Sequence, residues 1–237
     1  MLRTANPALN DKSFARLIPN ERENVMTLTG TVNKTAFLIA LTVIAAMWSW
    51  GQTSAGAAAG AWAIGGAIGG FIVALVTIFK KEWSAVTAPL YALFEGLFLG
   101  SLSATVNAQF PGIAIQAVTL TFGTLAGLLM AYRSGLIKAT ENFKLGVFAA
   151  TAGIGIFYLI SMVVGFFGIT MPLIGSNGPM GILFSAAVVV VAALNLVLDF
   201  DFIETASERG DLPQYMEWYA GFGLLVTLVW LYIEILR

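Results

Sequence analysis

From about residue 35 to its end, the chain alternates between long apolar stretches and short polar connections. The hydrocarbon core of a bilayer is about 30 Å thick, and an α-helix needs roughly 20 mainly apolar residues to cross it. Seven stretches approach or exceed that length, so we predict an all-α integral membrane protein with seven transmembrane helices. The predicted spans are 35–50, 55–79, 84–106, 111–132, 145–171, 178–200 and 214–236.

The first part of the chain has a different pattern. Residues 1–34 are polar and charged, with no apolar run after the first methionine. We therefore divide the chain into a polar cytoplasmic N-terminal arm, 1–34, and a seven-helix membrane domain, 35–237. We expect no cleavable signal peptide, so that the first span also serves as the insertion signal.

The Lys and Arg residues are concentrated in alternate connections. They occur in the arm and in the connections after the second, fourth and sixth spans, whereas loops 51–54, 107–110 and 172–177 have none. Short loops rich in positive charge remain in the cytoplasm. The pattern predicts a cytoplasmic N-terminus and a C-terminus outside.

The composition narrows the chemistry. The chain is 58% hydrophobic and 11% charged, has a net charge of −1, and contains neither Cys nor His. The missing residue types exclude disulfides, Cys/His metal sites and a histidine pH switch, and the net charge gives no reason to expect a nucleic-acid partner. We predict no cofactor. An enzyme is the least favoured class, since the YD and GxGD motifs of intramembrane aspartyl proteases are absent.

Two glycine pairs in the second span have the GxxxG spacing. Gly65 is four residues before Gly69, and Gly66 is four before Gly70. This spacing lets helix backbones approach closely. We expect packing within the chain, with a homodimer face as the alternative.

Glu95 lies near the middle of the third predicted span. A charged side chain at this depth is costly, and no Lys or Arg occurs at a similar depth in any span. We expect Glu95 to face a water-filled cavity, to be protonated, or to hydrogen-bond to a neighbour. It is a candidate ion or proton site, or a protonated group that joins helices.

The end of the sixth span carries a second polar group. Asn195 is one helical turn before Asp199 and shares its face, whereas Asp201 points elsewhere. The simplest interpretation is that the acids mark where the helix leaves the membrane. The helix face that carries Asn195 and Asp199 is the better functional candidate, because an amide is also costly in lipid. Asp201 is a weaker candidate for an ion or proton site.

Glu217 near the start of the last span completes the candidate site. The connection from Asp201 is short, so the last two helices are expected to be antiparallel neighbours with Asp199 and Glu217 at similar depth. Two adjacent carboxylates cannot both ionise cheaply, so such a pair could titrate near neutral pH. Its oxygen ligands would suit Ca²⁺, Mg²⁺ or protons, which makes Asp199 and Glu217 a possible Ca²⁺ site. Glu234, near the outer end, is expected to be exposed at the interface.

Several segments resemble the bacterial branch of the Bax inhibitor membrane proteins over nearly the whole chain. They are NPALN at 6–10, GTVNKT at 30–35, YALFEGLFLG at 91–100, LNLVLDFDFIE at 194–204 and YMEWYAGFGLLVTLVWLYIEILR at 215–237. The resemblance implies seven helices with the last surrounded by the other six, in a bacterial plasma membrane. It also implies either a pH-sensitive Ca²⁺ leak or the regulation of a membrane protease.

The resemblance implies a paired site as well. Such proteins pair an Asp near the end of the sixth helix with an Asp in the seventh. The first position matches Asp199, whereas the second falls at Ala220 or Gly221, neither of which is acidic. Glu217 lies one turn before Gly221 and is our candidate replacement.

Two functions follow from this sequence. The first is a pH-sensitive passive cation leak, with Ca²⁺ favoured, gated by Asp199, Asn195 and Glu217, with Glu95 along the path. The second is a membrane regulator without transport activity that binds another membrane protein through the arm and the glycine-rich faces. The partners predicted in common are the lipid bilayer and Ca²⁺ or H⁺.

The predicted orientation can be tested by cysteine accessibility, because the chain has no native cysteine. A cysteine introduced into loops 51–54 or 107–110 should react with an impermeant thiol reagent from outside the cell. A cysteine introduced between 134 and 140 should react only after the membrane is opened. A map that places both termini on one side would contradict the orientation.

Overall fold

A computed structural model describes residues 25–56, 59–168 and 178–237. Seven helices in this part of the chain are long and apolar enough to cross a membrane, so the protein is an integral membrane protein. No strand occurs among the described residues apart from an isolated bridge between Val25 and Pro213. The helices are α1 Leu28–Ser54, α2 Ala59–Phe79, α3 Ser84–Gln109, α4 Ile113–Arg133, α5 Glu141–Phe166, α6 Pro179–Arg209 and α7 Tyr215–Leu236, with a 3₁₀ turn Lys81–Trp83 before α3.

The predicted all-α class and the seven helices are confirmed, but several boundaries differ. Helix α1 begins at Leu28 rather than at residue 35, because Thr27 caps it by accepting a hydrogen bond from the backbone N–H of Gly30. Helix α6 continues to Arg209, well past residue 200, and ends at Gly210, whose φ is 65°. Polar sequence alone does not end a helix, whereas a cap or a left-handed glycine does. The arm up to residue 24, the end of the fifth predicted span at 169–171 and loop 172–177 lie outside the described residues.

Helix α7 lies at the centre of the bundle. In an apolar stretch of 18 residues in α7, 78% of the residues are buried, whereas only 6% are buried in the corresponding stretch of α5. Helices α1, α3, α4 and α6 pack against α7, whereas α2 packs mainly on α3 and α5 on α6. The central position of the last helix is therefore confirmed. The enclosure is formed chiefly by four helices rather than six, with α2 and α5 in an outer position.

Glycines allow the close approach of α2 to α3. A Cβ atom at Gly66 would lie 2.6 Å from the backbone nitrogen of Phe98 and 2.7 Å from the carbonyl oxygen of Phe94. Gly69 and Gly70 also face α3, whereas Gly65 has open space around it. Packing within the chain is thus confirmed for three of the four GxxxG glycines.

A second close approach joins α1 to α3. Cβ atoms at Gly96 and Gly100 would collide with the α1 backbone at Thr42 and Ala46. The hydroxyl of Ser49 lies at the same interface and donates to the carbonyl oxygen of Gly96, at 3.4 Å. Helix α3 is therefore held between α1 and α2 by backbone contacts, and it presents another face to α7.

We predict that Gly66→Ala destabilises the protein and that Gly65→Ala does not. The added methyl group at residue 66 meets backbone atoms of α3, so overpacking should cost about 1–3 kcal/mol. At residue 65 the methyl group meets nothing within 4 Å, and alanine favours a helix. Thermal unfolding of the two variants in detergent measures the difference. Equal unfolding temperatures would contradict the proposed contact.

Candidate ion site

The candidate residues lie on three helices. Glu95 is on α3, Asn195, Asp199 and Asp201 are on α6, and Glu217 is in the first turn of α7. Four of the five are less than 9% exposed, and Asp201 is partly exposed. Burial of this kind is costly unless each polar group has a partner. The contacts of each residue therefore decide what it can do.

Glu217 is held by the beginning of α1. Its Oε1 atom accepts hydrogen bonds of 2.8 Å from both the backbone N–H and the hydroxyl of Thr27. Its Oε2 atom accepts a hydrogen bond from the ammonium group of Lys34 and forms an ion pair with it. The Glu217 carboxylate is only 1% exposed. It therefore supplies the negative group that stabilises a helix N-terminus, although it belongs to another helix.

The surroundings of this ion pair fit it closely. A Cβ atom at Gly30 would collide with the Glu217 carboxylate, so a larger residue there would displace the carboxylate from this position. The Lys34 ammonium lies 5.4 Å from the centre of the Trp218 ring, at cation–π distance. The backbone N–H of Met26 also donates to the carbonyl oxygen of Leu212, at 2.7 Å. These contacts connect the beginning of α1 to the beginning of α7. We call this connection the α1–α7 clamp and define it by Thr27, Gly30, Lys34 and Glu217.

Asp199 has no exposed surface. Ten residues of α6, about 15 Å of helix, separate it from Arg209, whereas Glu217 lies in the first turn of α7. Asp199 therefore lies far from the α6–α7 connection along α6, whereas Glu217 lies close to it along α7. The expected similar depth is therefore not supported. Both oxygens of Glu217 are engaged by α1, so its proposed pairing with Asp199 stays a prediction that would require the clamp to open.

Asn195 joins α6 to α5. Its side-chain amide donates hydrogen bonds of 2.8 Å to the hydroxyl of Thr151 and to the carbonyl oxygen of Val191. Both amide protons are used in these contacts. The residue is 2% exposed. Asn195 therefore has a structural explanation, in addition to its position one turn before Asp199.

Asp201 belongs to a separate polar cluster. Lys144 Nζ lies 2.7 Å from Asp201 Oδ2, and the same ammonium is 3.6 Å from Glu141. The Tyr132 hydroxyl donates to Glu204 one turn further along α6. Lys144 was expected in a connection but lies in the first turn of α5 and is 8% exposed. The cluster joins α4, α5 and α6, and the charge of Asp201 is balanced by Lys144.

Glu95 lies at the junction of α2, α3 and α7. Its Oε2 would lie 3.1 Å from a Cβ atom at Gly70 of α2, and Tyr91 lies one turn earlier on α3. The Tyr91 ring makes an edge contact with Phe222 of α7, with 4.9 Å between ring centres. The expected hydrogen bond from Glu95 to a neighbour stays a prediction. Tyr91 is the nearby residue of α3 that contacts the central helix.

These positions bear on the possible Ca²⁺ site. The part of the chain that the structure describes contains no group of three or more Asp or Glu side chains arranged to hold a metal ion. Ca²⁺ takes six to eight oxygen ligands, so Asp199 and Glu217 would need backbone oxygens or water to complete a site. Binding of Ca²⁺ by these two residues stays a prediction.

Comparison with known protein families assigns the chain to one of them. Residues 6–237 match the family described as Bax inhibitor 1 like. The chain belongs to this family. Searches of curated proteins and of solved structures found no match. The family assignment and the bundle agree on a membrane protein, and the resemblance drawn from the sequence segments is confirmed at the level of the family.

In this Bax inhibitor 1 like protein, sequence reasoning missed the partners of the acids. Lys34 was placed in the arm, although it belongs to the segment GTVNKT, and only the tertiary structure brings it to Glu217. No local signal points from Lys34 to Glu217, because the two residues are 183 positions apart.

The expectation for Glu234 was wrong. Its carboxylate is 5% exposed rather than open to the interface. It accepts hydrogen bonds from Tyr158, at 2.9 Å, and from Trp230, at 3.2 Å, and it pairs with Arg237 at 2.7 Å. Partners from α5 and from the chain end cover it, so its position near a helix end did not determine its exposure.

We predict that Lys34→Met destabilises the protein more than Lys34→Met combined with Glu217→Gln. The single change leaves a buried carboxylate without its cation, which costs about 3–5 kcal/mol. The second change removes the uncompensated charge and should recover part of the loss. Thermal unfolding in detergent measures both variants. Asp211→Asn is the control, because it breaks an exposed pair with Arg209 worth about 0–1 kcal/mol. Additive losses in the double variant would contradict the clamp.

Proposed function

We propose that this protein is a pH-sensitive passive cation leak in a bacterial plasma membrane, with Ca²⁺ as the favoured ion and without enzymatic activity. The observation that carries the proposal is the complete burial of Asp199 in a membrane-spanning helix that packs on the central helix α7. An ionisable group at such a position is a functional candidate by default, because its charge is costly in lipid. A resident cofactor is not part of the proposal.

The proposed ion path follows α7. Asp199 on α6 and Glu95 on α3 are the acids that we assign to it, because both are buried in spanning helices that pack on α7. Asn195, one turn before Asp199, would supply its side-chain oxygen to a passing ion. Asp199 has no exposed surface, so a hydrated cation reaches it only if the surrounding helices separate. We therefore propose that conduction requires a displacement of α7 relative to α6.

The α1–α7 clamp would oppose that displacement. Two hydrogen bonds and an ion pair connect the first turn of α7 to the beginning of α1. A shift of α7 would stretch these contacts. We propose that Glu217 acts as a restraint in the closed state. It would become a second acid for Asp199 only if the clamp opens.

The pH sensitivity is assigned to Asp199. A buried carboxylate in a dry bundle is stable with a proton bound, whereas water or a cation stabilises its charged form. Raising the pH removes the proton and favours the hydrated arrangement with α7 displaced. Flux should accordingly increase with pH. No histidine is available for this role in the chain.

We predict a Ca²⁺ flux into proteoliposomes that increases between pH 6 and pH 8 and is lost in Asp199→Asn. Asparagine keeps the size of the side chain but carries no charge and cannot titrate. A trapped calcium dye measures the flux for the purified protein. Asp211→Asn is the matched control, because it removes an exposed acid outside the proposed path. Unchanged flux in Asp199→Asn would contradict the assignment of the gate.

A second candidate is the regulation of another membrane protein, without transport. It is favoured by the exposure of α5, because only 6% of the residues in an apolar 18-residue stretch of this helix are buried. Gly146 and Gly153 of α5 also have open space around them. A partner helix could pack closely there. Absence of flux at every pH, with folded protein and a partner that co-purifies, would favour this function. Deletion of residues 1–25 would then show whether the arm makes the contact.

A further inference from the structure

A cavity of about 550 Å³ lies between α1, α3, α4 and α7. Its walls carry no Asp, Glu, Lys or Arg, so it is distinct from the proposed ion path. Most of its surface is hydrocarbon from side chains such as Ile39, Leu99, Val118, Leu225 and Leu228. The volume lies within the range of about 300–1,000 Å³ that is typical of small-molecule sites.

The cavity opens towards the bilayer. Helices α1 and α4 each pack on α7 but make no extensive contact with each other. Two residues that line the cavity at this gap, Met47 of α1 and Ile115 of α4, are 70% and 69% exposed. Since the helices span a membrane, the medium outside the gap is lipid hydrocarbon. Acyl chains are therefore the molecules that have direct access to the cavity.

Several polar groups in the walls are paired within the protein. The hydroxyl groups of Ser103 and Tyr232 hydrogen-bond to each other at 2.6 Å, and the backbone N–H of Gly112 donates to the side-chain oxygen of Asn107 at 2.9 Å. A water molecule in a cavity needs two to four polar partners, whereas most of the surface of this cavity is hydrocarbon. An empty space of this size would also forfeit dispersion contacts. Both arguments favour an apolar occupant.

The length of the cavity fits one leaflet. It extends from Asn107 and Gly112, beside the α3–α4 connection, to Leu99 in the middle of α3. Eight residues of helix separate Asn107 from Leu99, which corresponds to about 12 Å. Half of a hydrocarbon core about 30 Å thick is a similar distance. A lipid could place its chain in the cavity and keep its headgroup at the membrane surface beside the α3–α4 connection.

We propose that this cavity binds one acyl chain of a membrane phospholipid. The chain would enter between α1 and α4 and contact Leu225, Leu228 and Val229 of the central helix. The bound chain completes the packing around α7 on the side where α1 and α4 leave a gap. Lipid binding would therefore stabilise the closed bundle, and it does not depend on the proposed leak.

The test compares two tryptophan substitutions on α4. Val118 lines the cavity, whereas Leu120 is 57% exposed and does not line it. Delipidated protein in detergent is titrated with dioleoyl phosphatidylethanolamine, and the lipid-bound fraction is measured by native mass spectrometry. Val118→Trp should bind about tenfold more weakly, the effect of displacing one or two buried methylene groups. Leu120→Trp should bind as the unchanged protein does.

A second readout separates lipid binding from a folding defect. The phospholipid should raise the unfolding temperature of the unchanged protein and of Leu120→Trp, but not that of Val118→Trp. If Val118→Trp does not fold, Val118→Phe is used instead in both measurements. Equal lipid binding by the two α4 variants would overturn the proposal. The proposal would also be overturned if the protein is a dimer, Val118→Trp makes it monomeric and the amount of bound lipid does not change. That result would assign the cavity to a second copy of the chain.

Discussion

Lipid offers no hydrogen-bond partners to the polar side chains of the spans, so each of them needs a partner within the protein. The acids near the helix ends meet this requirement with cations. Glu217 pairs with Lys34, Asp201 with Lys144 and Glu234 with Arg237. The first pair joins the first helix to the last, and the second joins α5 to α6. The arrangement of α1, α5, α6 and α7 therefore depends on where these charges can be neutralised.

Close backbone contact provides the second part of the framework. Glycines let α3 approach α1 and α2 until backbone atoms touch, and the faces that remain are offered to α7. A rigid α1–α3 layer results, and the α1–α7 clamp attaches the central helix to it. Helix α4 lacks this kind of contact with α1. The difference explains why the cavity lies between those two helices rather than elsewhere around α7.

These features suggest a division of roles around the central helix. At its beginning α7 is restrained by the clamp, and further along it packs on α6, which carries the buried Asp199. On another side it contacts a cavity whose occupant is lipid hydrocarbon in our proposal. A displacement of α7 would affect all three places. The position of this helix would then couple the ion path, the clamp and the surrounding membrane.

The class of protein, the number of spans and the family could be predicted from the sequence, because apolar length and segment identity are local properties. The sequence also located the costly residues Glu95, Asp199 and Glu217, since a charge within an apolar run is visible without a structure. Hydropathy could not identify the central helix. Helix α5 is more hydropathic than α7 yet far less buried, because lipid-facing and core-facing residues are equally apolar.

The partners of the acids could be found only from the folded bundle. Glu217 and Lys34 are 183 positions apart, and no local pattern links them. The start of α1 at Leu28 depends on Thr27, whose backbone N–H and hydroxyl are held by a carboxylate from α7. The cavity likewise exists only where α1 and α4 fail to meet. Pairing and packing are relations between distant segments, so they are set by the folded bundle and not by any one stretch of the chain.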